Sequence, residues 1–82
     1  MPAVLTYGDA RIVVYTSDHR PAHVHVKDAS HEAVFNLSGP DGPVELRENF
    51  GFSLPAVNRL AKFIQAHIDA ACAAWRQFHG SH

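Results

Sequence analysis

The sequence has little cysteine: Cys72 is the single one among 82 residues. With one cysteine the chain cannot form an internal disulfide, so its stability requires no oxidising compartment. An excess of charge of one sign is also missing, since seven Lys and Arg side chains stand against eight Asp and Glu, a formal net charge of −1. This balance argues against a protein that binds nucleic acid through charge alone.

Long hydrophobic runs are absent as well. No uninterrupted apolar segment approaches the roughly 18–20 residues of a membrane span. The first residues lack the basic and then apolar pattern of a secretory leader, so we expect a cytoplasmic protein outside the membrane. What is present is a hydrophobic content of 46%, enough for a globular core. The length predicts one small domain, residues 1–82.

The first half of the chain alternates between apolar and polar residues and turns often, a pattern that predicts strands. The pair Gly8-Asp9 predicts a hairpin turn, and residues 38–43, rich in Gly and Pro, are the strongest turn signal. The predicted strand segments are Ala3–Tyr7, Arg11–Thr16, His23–Lys27, His31–Leu37 and Val44–Glu48.

The last third predicts one long helix over residues 53–79. Ser53 suits the N-cap, Pro55 suits the first turn, and Gly80 suits the stop. Apolar residues recur at the i, i+3, i+4, i+7 spacing of a helix with one buried face. This stripe consists of Val57, Leu60, Ala61, Ile64, Ile68, Ala71, Cys72 and Trp75.

Together these elements predict an α+β fold: a three- to four-stranded, mainly antiparallel sheet with one long C-terminal helix packed on one face. Residues 1–48 form the β-rich part. The sheet face that meets the helix is predicted to carry Val24, Val26, Ala33, Phe35, Leu37, Val44 and Leu46. The aromatic residues exceed what one small sheet needs, so we expect a homodimer or a complex with a partner protein. They are Phe50, Phe52, Phe63, Trp75 and Phe78.

Three histidines, His19, His23 and His25, lie within seven residues. Because strand side chains alternate, His23 and His25 are expected on the sheet face opposite Val24, exposed and away from the helix. His19 precedes them across a turn that contains Pro21 and can fold back toward the pair.

This spacing leaves three interpretations open. His19, His23 and His25 are candidate ligands of a divalent metal such as zinc or nickel, in a site with an open position. The same three are candidate catalytic residues of a metal-free acid–base site, with Arg20, Lys27 and Arg47 as candidate phosphate-binding residues. In the third interpretation the histidines are ordinary polar residues of an exposed strand and turn.

The histidine segment also resembles a known family. Asp18-His19-Arg20-Pro21-Ala22-His23-Val24-His25, preceded by the Arg11-Ile12 strand, is similar to the acidic-His-x-Pro-Pro-His-x-His signature of small bacterial proteins grouped as domain-of-unknown-function family 4160. The closing Trp75, followed by His79-Gly80, resembles the end of that family. Ala22 departs from the pattern, because a second Pro usually stands there.

The resemblance covers nearly the whole chain, and its implications concern function. The family's function is not established, but its members resemble components of toxin–antitoxin modules, which implies a cytoplasmic protein with a small cognate partner. We therefore expect a toxin–antitoxin-type component that acts on RNA or another phosphodiester through its His cluster. The alternative is a non-catalytic module that binds a metal or a partner.

Overall fold

The structure of the chain, a computed structural model, describes residues 3–15, 21–37 and 43–79, with side chains for residues 5–15, 21–37 and 43–77. Within these residues, five strands are followed by two helices. The elements are β1 (Ala3–Tyr7), β2 (Ala10–Val13), β3 (His23–Lys27), β4 (Glu32–Leu37), β5 (Val44–Phe50), α1 (Leu54–Ala66) and α2 (Ile68–His79).

The sheet confirms the predicted antiparallel α+β class but has five strands rather than three or four. Each strand pairs with the next one along the chain, in the order β1-β2-β3-β4-β5. The first hairpin turns at Gly8, whose φ of +59° is a conformation that glycine adopts without steric cost. Both terminal segments had been predicted as strands, and the predicted count of three to four was too low because β1 and β5 both pair into the same sheet.

The helical third begins as predicted and then departs from the prediction. Ser53 is the N-cap of α1, its hydroxyl accepts a hydrogen bond from the Ala56 N–H at 3.2 Å, and Pro55 lies in the first turn. The expected single helix is wrong, because His67 ends α1 with φ −118° and ψ 29°. The ring of His67 packs on Phe63 at 4.4 Å, and its Nδ1 donates to the Phe63 carbonyl at 2.9 Å.

One hydrophobic core joins strands β2 to β4 with both helices. Of the predicted helix-facing side chains, Val24, Val26, Ala33, Phe35 and Leu37 are buried in it, and Val44 is partly buried. Leu46 was also predicted to meet the helix, but it is 44% exposed on the edge strand, so that prediction is wrong. Cys72 and Trp75 are fully buried as core residues, and burial raises the pKa of the Cys72 thiol. Among the described residues, no helix is both long and apolar enough to span a bilayer.

Candidate functional site

The candidate site lies on the sheet face opposite the core, around β3. Strand alternation and register place His25 between Val13 of β2 and Val34 of β4, which are both buried. Tyr15, His23, Lys27 and Glu32 surround His25, and these five residues are called the histidine cluster below. His19 and Arg20, predicted as site residues, lie outside the described residues.

His25 is the central side chain of the cluster. Its Nδ1 lies 3.6 Å from the Glu32 carboxylate, and its side chain is 16% exposed. The rings of Tyr15 and His23 approach it edge-on, with centroids at 4.6 Å and 5.1 Å. At 3.6 Å the Glu32 carboxylate lies close enough to the imidazole to orient the ring.

Lys27 supplies positive charge beside His25. Its Nζ donates a hydrogen bond to the Tyr15 hydroxyl at 2.8 Å and lies 5.5 Å from the centroid of the Tyr15 ring. The hydrogen bond to Tyr15 and the nearby charge of Glu32 raise the pKa of Lys27. A fixed ammonium of this kind suits the neutralisation of an anionic group such as a phosphate.

His23 differs from the sequence-based expectation of an exposed residue away from the helix. It shares a face with His25, as predicted, but only 5% of its surface is exposed. Its ring lies 5.2 Å from the Trp75 ring of α2, and its Nδ1 donates to the Pro21 carbonyl at 2.7 Å. Sequence alternation assigned His23 to a sheet face correctly, but it could not show that Trp75 reaches it.

Arg47, predicted to bind phosphate, lies apart from the cluster. It is exposed on β5, two strands away from β3, at an irregularity where the pairing with β4 passes from Leu46 to Glu48. The structure therefore brings together His23, His25 and Lys27 of the predicted site residues and leaves Arg47 at the sheet edge.

Two features of this region were not predicted from the sequence. The first is Tyr15, which lies two residues after the end of β2. Its ring packs against His25, and its hydroxyl accepts a hydrogen bond from Lys27 of β3. The second is an Asp–His pair, Asp28 and His31. The Asp28 carboxylate accepts hydrogen bonds from His31 Nδ1 at 2.9 Å, from the His31 N–H at 2.7 Å and from the Ser30 N–H at 2.8 Å. The Asp-x-x-His spacing in a turn is the signal that was available for this pair.

Two cavities flank this region. One of about 220 Å³ lies toward the helices, between Tyr7, Phe52 and Leu60. The other, of about 310 Å³, adjoins the histidine cluster and is lined by Lys27, Asp28, Ala29, Ser30, His31, Glu32 and Phe50. Lys27 and Glu32 belong to both the cluster and this second cavity, so the cavity adjoins the cluster through these two side chains.

The described part of the chain contains no set of side chains that could bind a metal ion. Within residues 3–15, 21–37 and 43–79, no three His, Cys, Asp or Glu side chains are grouped to hold a metal ion. A site that includes His19 involves a residue outside these ranges, and the zinc or nickel site stays a prediction.

Comparison of the sequence with known proteins and families identifies the family of this chain. No curated protein matches the chain, and no solved structure matches it. The sequence model described as "Domain of unknown function (DUF4160)" matches residues 10–76, from the start of β2 almost to the end of α2. The match includes the whole histidine segment and both helices up to Arg76. The chain therefore belongs to the DUF4160 family.

Proposed function

We propose that this protein cleaves RNA at the histidine cluster, with His25 as the general base. The observation that carries the proposal is the position of the His25 imidazole, held between the Glu32 carboxylate and the Tyr15 ring, beside the ammonium of Lys27. A positioned imidazole next to a fixed cation is the combination that proton transfer at a phosphodiester requires.

The proposed reaction uses the ribose as its own nucleophile. His25 accepts the proton of a 2′-hydroxyl, and the oxygen attacks the adjacent phosphorus. The bond from phosphorus to the 5′-oxygen of the next nucleotide breaks, and that oxygen takes a proton from an acid, for which His19 is the candidate. Lys27 neutralises the charge that develops on the phosphoryl oxygens. The products are a 2′,3′-cyclic phosphate and a 5′-hydroxyl.

The cavity beside the cluster supplies a place for a nucleotide. Phe50 lines it and is 59% exposed, and Lys27 stands at the same cavity. An exposed aromatic ring next to a cation suits single-stranded RNA, because a base stacks on the ring while the cation contacts the backbone. Replacement of Phe50 by Ala is expected to weaken RNA binding without removing the acid–base residues.

His23 has a different role in the proposal from the catalytic one predicted for it. Its burial, its hydrogen bond to Pro21 and its contact with His25 make it a positioning residue for the His25 ring. Arg20 and Arg47 remain predicted phosphate-binding residues: Arg20 adjoins His19 in sequence, and Arg47 lies within reach only of an RNA that extends across the sheet to β5.

The test uses a fluorescent single-stranded oligoribonucleotide and a matched chain in which every ribose is 2′-deoxyribose. Wild-type protein should cleave the first and leave the second intact, since the nucleophile is absent from it. His25→Ala should lower the rate at least ~100-fold, as loss of a general base does. His67→Ala, which removes a histidine at the α1–α2 junction, is the matched control and should retain the rate. Intact RNA with wild-type protein, or equal rates for wild type and His25→Ala, would contradict the proposal.

The cellular role we propose is that of the toxic member of a toxin–antitoxin pair in the cytoplasm, with a small cognate partner that inhibits it. RNA cleavage would supply the toxicity. Induced expression of the wild type should then arrest growth, and expression of His25→Ala at the same level should not. Growth arrest by both proteins would show that toxicity does not depend on this site.

A second candidate function is that of a non-catalytic binding module, and one observation favours it. Leu46, Phe50 and Leu54 stay exposed along β5 and the start of α1, which is typical of a surface that another protein covers. Metal binding belongs to the same alternative. Titration calorimetry with zinc and nickel on wild type and on the His23→Ala/His25→Ala variant distinguishes it, since equal heats would remove a metal site at these residues.

A further inference from the structure

The strand β5 forms an open edge of the sheet. Among the residues that the structure describes, it is last in the strand order and pairs with β4 alone. Six of its seven residues are exposed, and Val44 alone is partly buried. Open edge strands offer unpaired N–H and C=O groups to a further strand. Among the described residues, the large hydrophobic side chains that remain exposed are on or next to this strand: Leu46, Phe50 and Leu54.

The sequence of β5, Val-Glu-Leu-Arg-Glu-Asn-Phe, is complementary to itself in the antiparallel direction. With a two-fold axis at Leu46, Glu45 of each copy stands opposite Arg47 of the other, so two pairs of opposite charge form. Leu46 then stands opposite its own counterpart. In the pairing with β4, Val34 is opposite Glu48 and Phe35 is opposite Leu46, so Arg47 lies at a bulge and has no opposite residue on β4.

In the other registers, fewer of the charged and apolar side chains of β5 stand opposite a favourable partner. An axis at Arg47 or at Glu48 places identical charges directly opposite each other, which destabilises a strand pair. An axis between Arg47 and Glu48 pairs opposite charges but sets Leu46 against Asn49. Only the axis at Leu46 combines both charge pairs with burial of the exposed leucine.

We infer that a second copy of this chain docks on β5, joining the two sheets into one continuous antiparallel sheet of ten strands. Residues directly opposite each other in an antiparallel pair point to the same face. Leu46 is opposite Phe35 on β4, and Phe35 belongs to the core. The two Leu46 side chains therefore meet on the core side of the joined sheet. Phe50, opposite Glu32, faces the histidine cluster's side and stays available to the cavity there.

A charge-reversal cycle tests the interface. Light scattering coupled to gel filtration should give wild type twice the 9.0 kDa mass of the chain. Glu45→Arg and Arg47→Glu should each shift the protein to monomer, since each places like charges opposite one another. The double variant Glu45→Arg/Arg47→Glu restores opposite charges and should restore the dimer. Circular dichroism of the single variants checks that these exposed substitutions leave the fold intact.

A cross-link tests the register. Opposed residues in an antiparallel pair have Cα atoms about 4.5–5.5 Å apart, within disulfide range. Leu46→Cys should therefore form a covalent dimer on mild oxidation, while Glu48→Cys, displaced from the axis, should not; Cys72 is buried and does not interfere.

A wild-type monomer at all concentrations, failure of the double variant to restore the dimer, or equal cross-linking at both positions overturns the inference. If the wild type is monomeric alone and dimeric only with another protein, β5 serves a different partner and the inference is likewise overturned.

Discussion

At the scale of single residues, burial decides what each histidine can do. His23 and His25 are two residues apart on one strand, yet one is covered by Trp75 and the other retains access to solvent. The Nδ1 of His23 is committed to the Pro21 carbonyl, which can only accept a hydrogen bond, so this nitrogen carries the proton. His25 is therefore the residue of the pair that is suited to exchange protons with a substrate.

Replacement of His23 should cost stability, contrary to the expectation for an exposed strand residue. His23→Ala removes a buried hydrogen bond and ring packing against Trp75, and we expect a loss of about 1–3 kcal/mol in the free energy of unfolding. His23→Asn is the matched variant, because its amide nitrogen can take the place of Nδ1 while the ring contact is lost. Its free energy of unfolding should lie between those of wild type and His23→Ala. Urea denaturation measures this, and a loss below about 0.5 kcal/mol for His23→Ala would contradict the buried role.

Asp28 should make the fold sensitive to acid. The hydrogen bond from the Ser30 N–H, followed by those from His31, lowers the pKa of this carboxyl in the folded chain. The unfolded chain therefore binds the proton more readily, and the stabilisation is present above the ordinary Asp pKa of about 3.9 and is lost as the pH falls through the lower folded value.

Denaturation curves between pH 2 and pH 6 check this prediction. Asp28→Asn should show a smaller fall in unfolding free energy below about pH 4 than wild type does, because the titrating group is gone. Asp9→Asn, at the exposed first hairpin, is the control and should keep the wild-type slope. Identical slopes for wild type and Asp28→Asn would remove Asp28 as the source of acid sensitivity.

At the scale of elements, the α1–α2 junction shows how a helix can break without Pro or Gly. The hydrophobic stripe continues from Ile64 through Ile68 to Ala71 at helical spacing, so the sequence pattern predicts no interruption. The N–H of His67 bonds to Ile64 and Phe63 carbonyls at 3.0 Å and 3.2 Å, tightening the last turn of α1. The Ala71 N–H then bonds to the His67 carbonyl at 3.1 Å, so α2 resumes at once.

The start of α1 is capped by the Ser53 side chain. Ser53→Ala removes the hydroxyl that accepts from the Ala56 N–H, and it should lower the free energy of unfolding by about 1 kcal/mol. Ser53→Asp retains an acceptor at the same place and should match or exceed the wild type, since a negative charge at a helix N-terminus is favourable. Equal stability of Ser53→Ala and wild type in urea would show that solvent satisfies this end of the helix.

At the scale of the whole molecule, Trp75 connects the core to the candidate site. It is fully buried in the core cluster and also contacts His23, which in turn contacts His25. A substitution in α2 can therefore change the geometry of the site on the opposite side of the sheet without any direct contact with His25.

Replacement of Trp75 should affect stability more than any surface change. Trp75→Ala leaves a large cavity and should cost about 3–5 kcal/mol, a large part of the roughly 5–10 kcal/mol that holds a small domain together. Trp75→Phe keeps most of the volume and should remain folded by circular dichroism. If Trp75→Phe folds normally but lowers RNA cleavage, the contact with His23 positions His25; an unchanged rate would separate Trp75 from the site.

The sequence by itself determined the features that depend on neighbouring residues. Strand alternation placed Val24 and Val26 in the core with His23 and His25 on the other face. The local turn chemistry of Gly8 and the cap at Ser53 were likewise readable, because glycine permits a positive φ and a serine hydroxyl reaches the first free N–H groups of a helix.

Only the tertiary structure decided what covers each face and which side chains meet across strands. Trp75 against His23, Lys27 on Tyr15 and Glu32 beside His25 join residues from different elements. Periodicity tells which side of an element a residue occupies, but not the distance to another element or the length of an exposed edge. Those quantities depend on how strands register and where helices cross them. They decide that His23 is buried and that His25 retains access to solvent, whereas His19 is known only from the sequence.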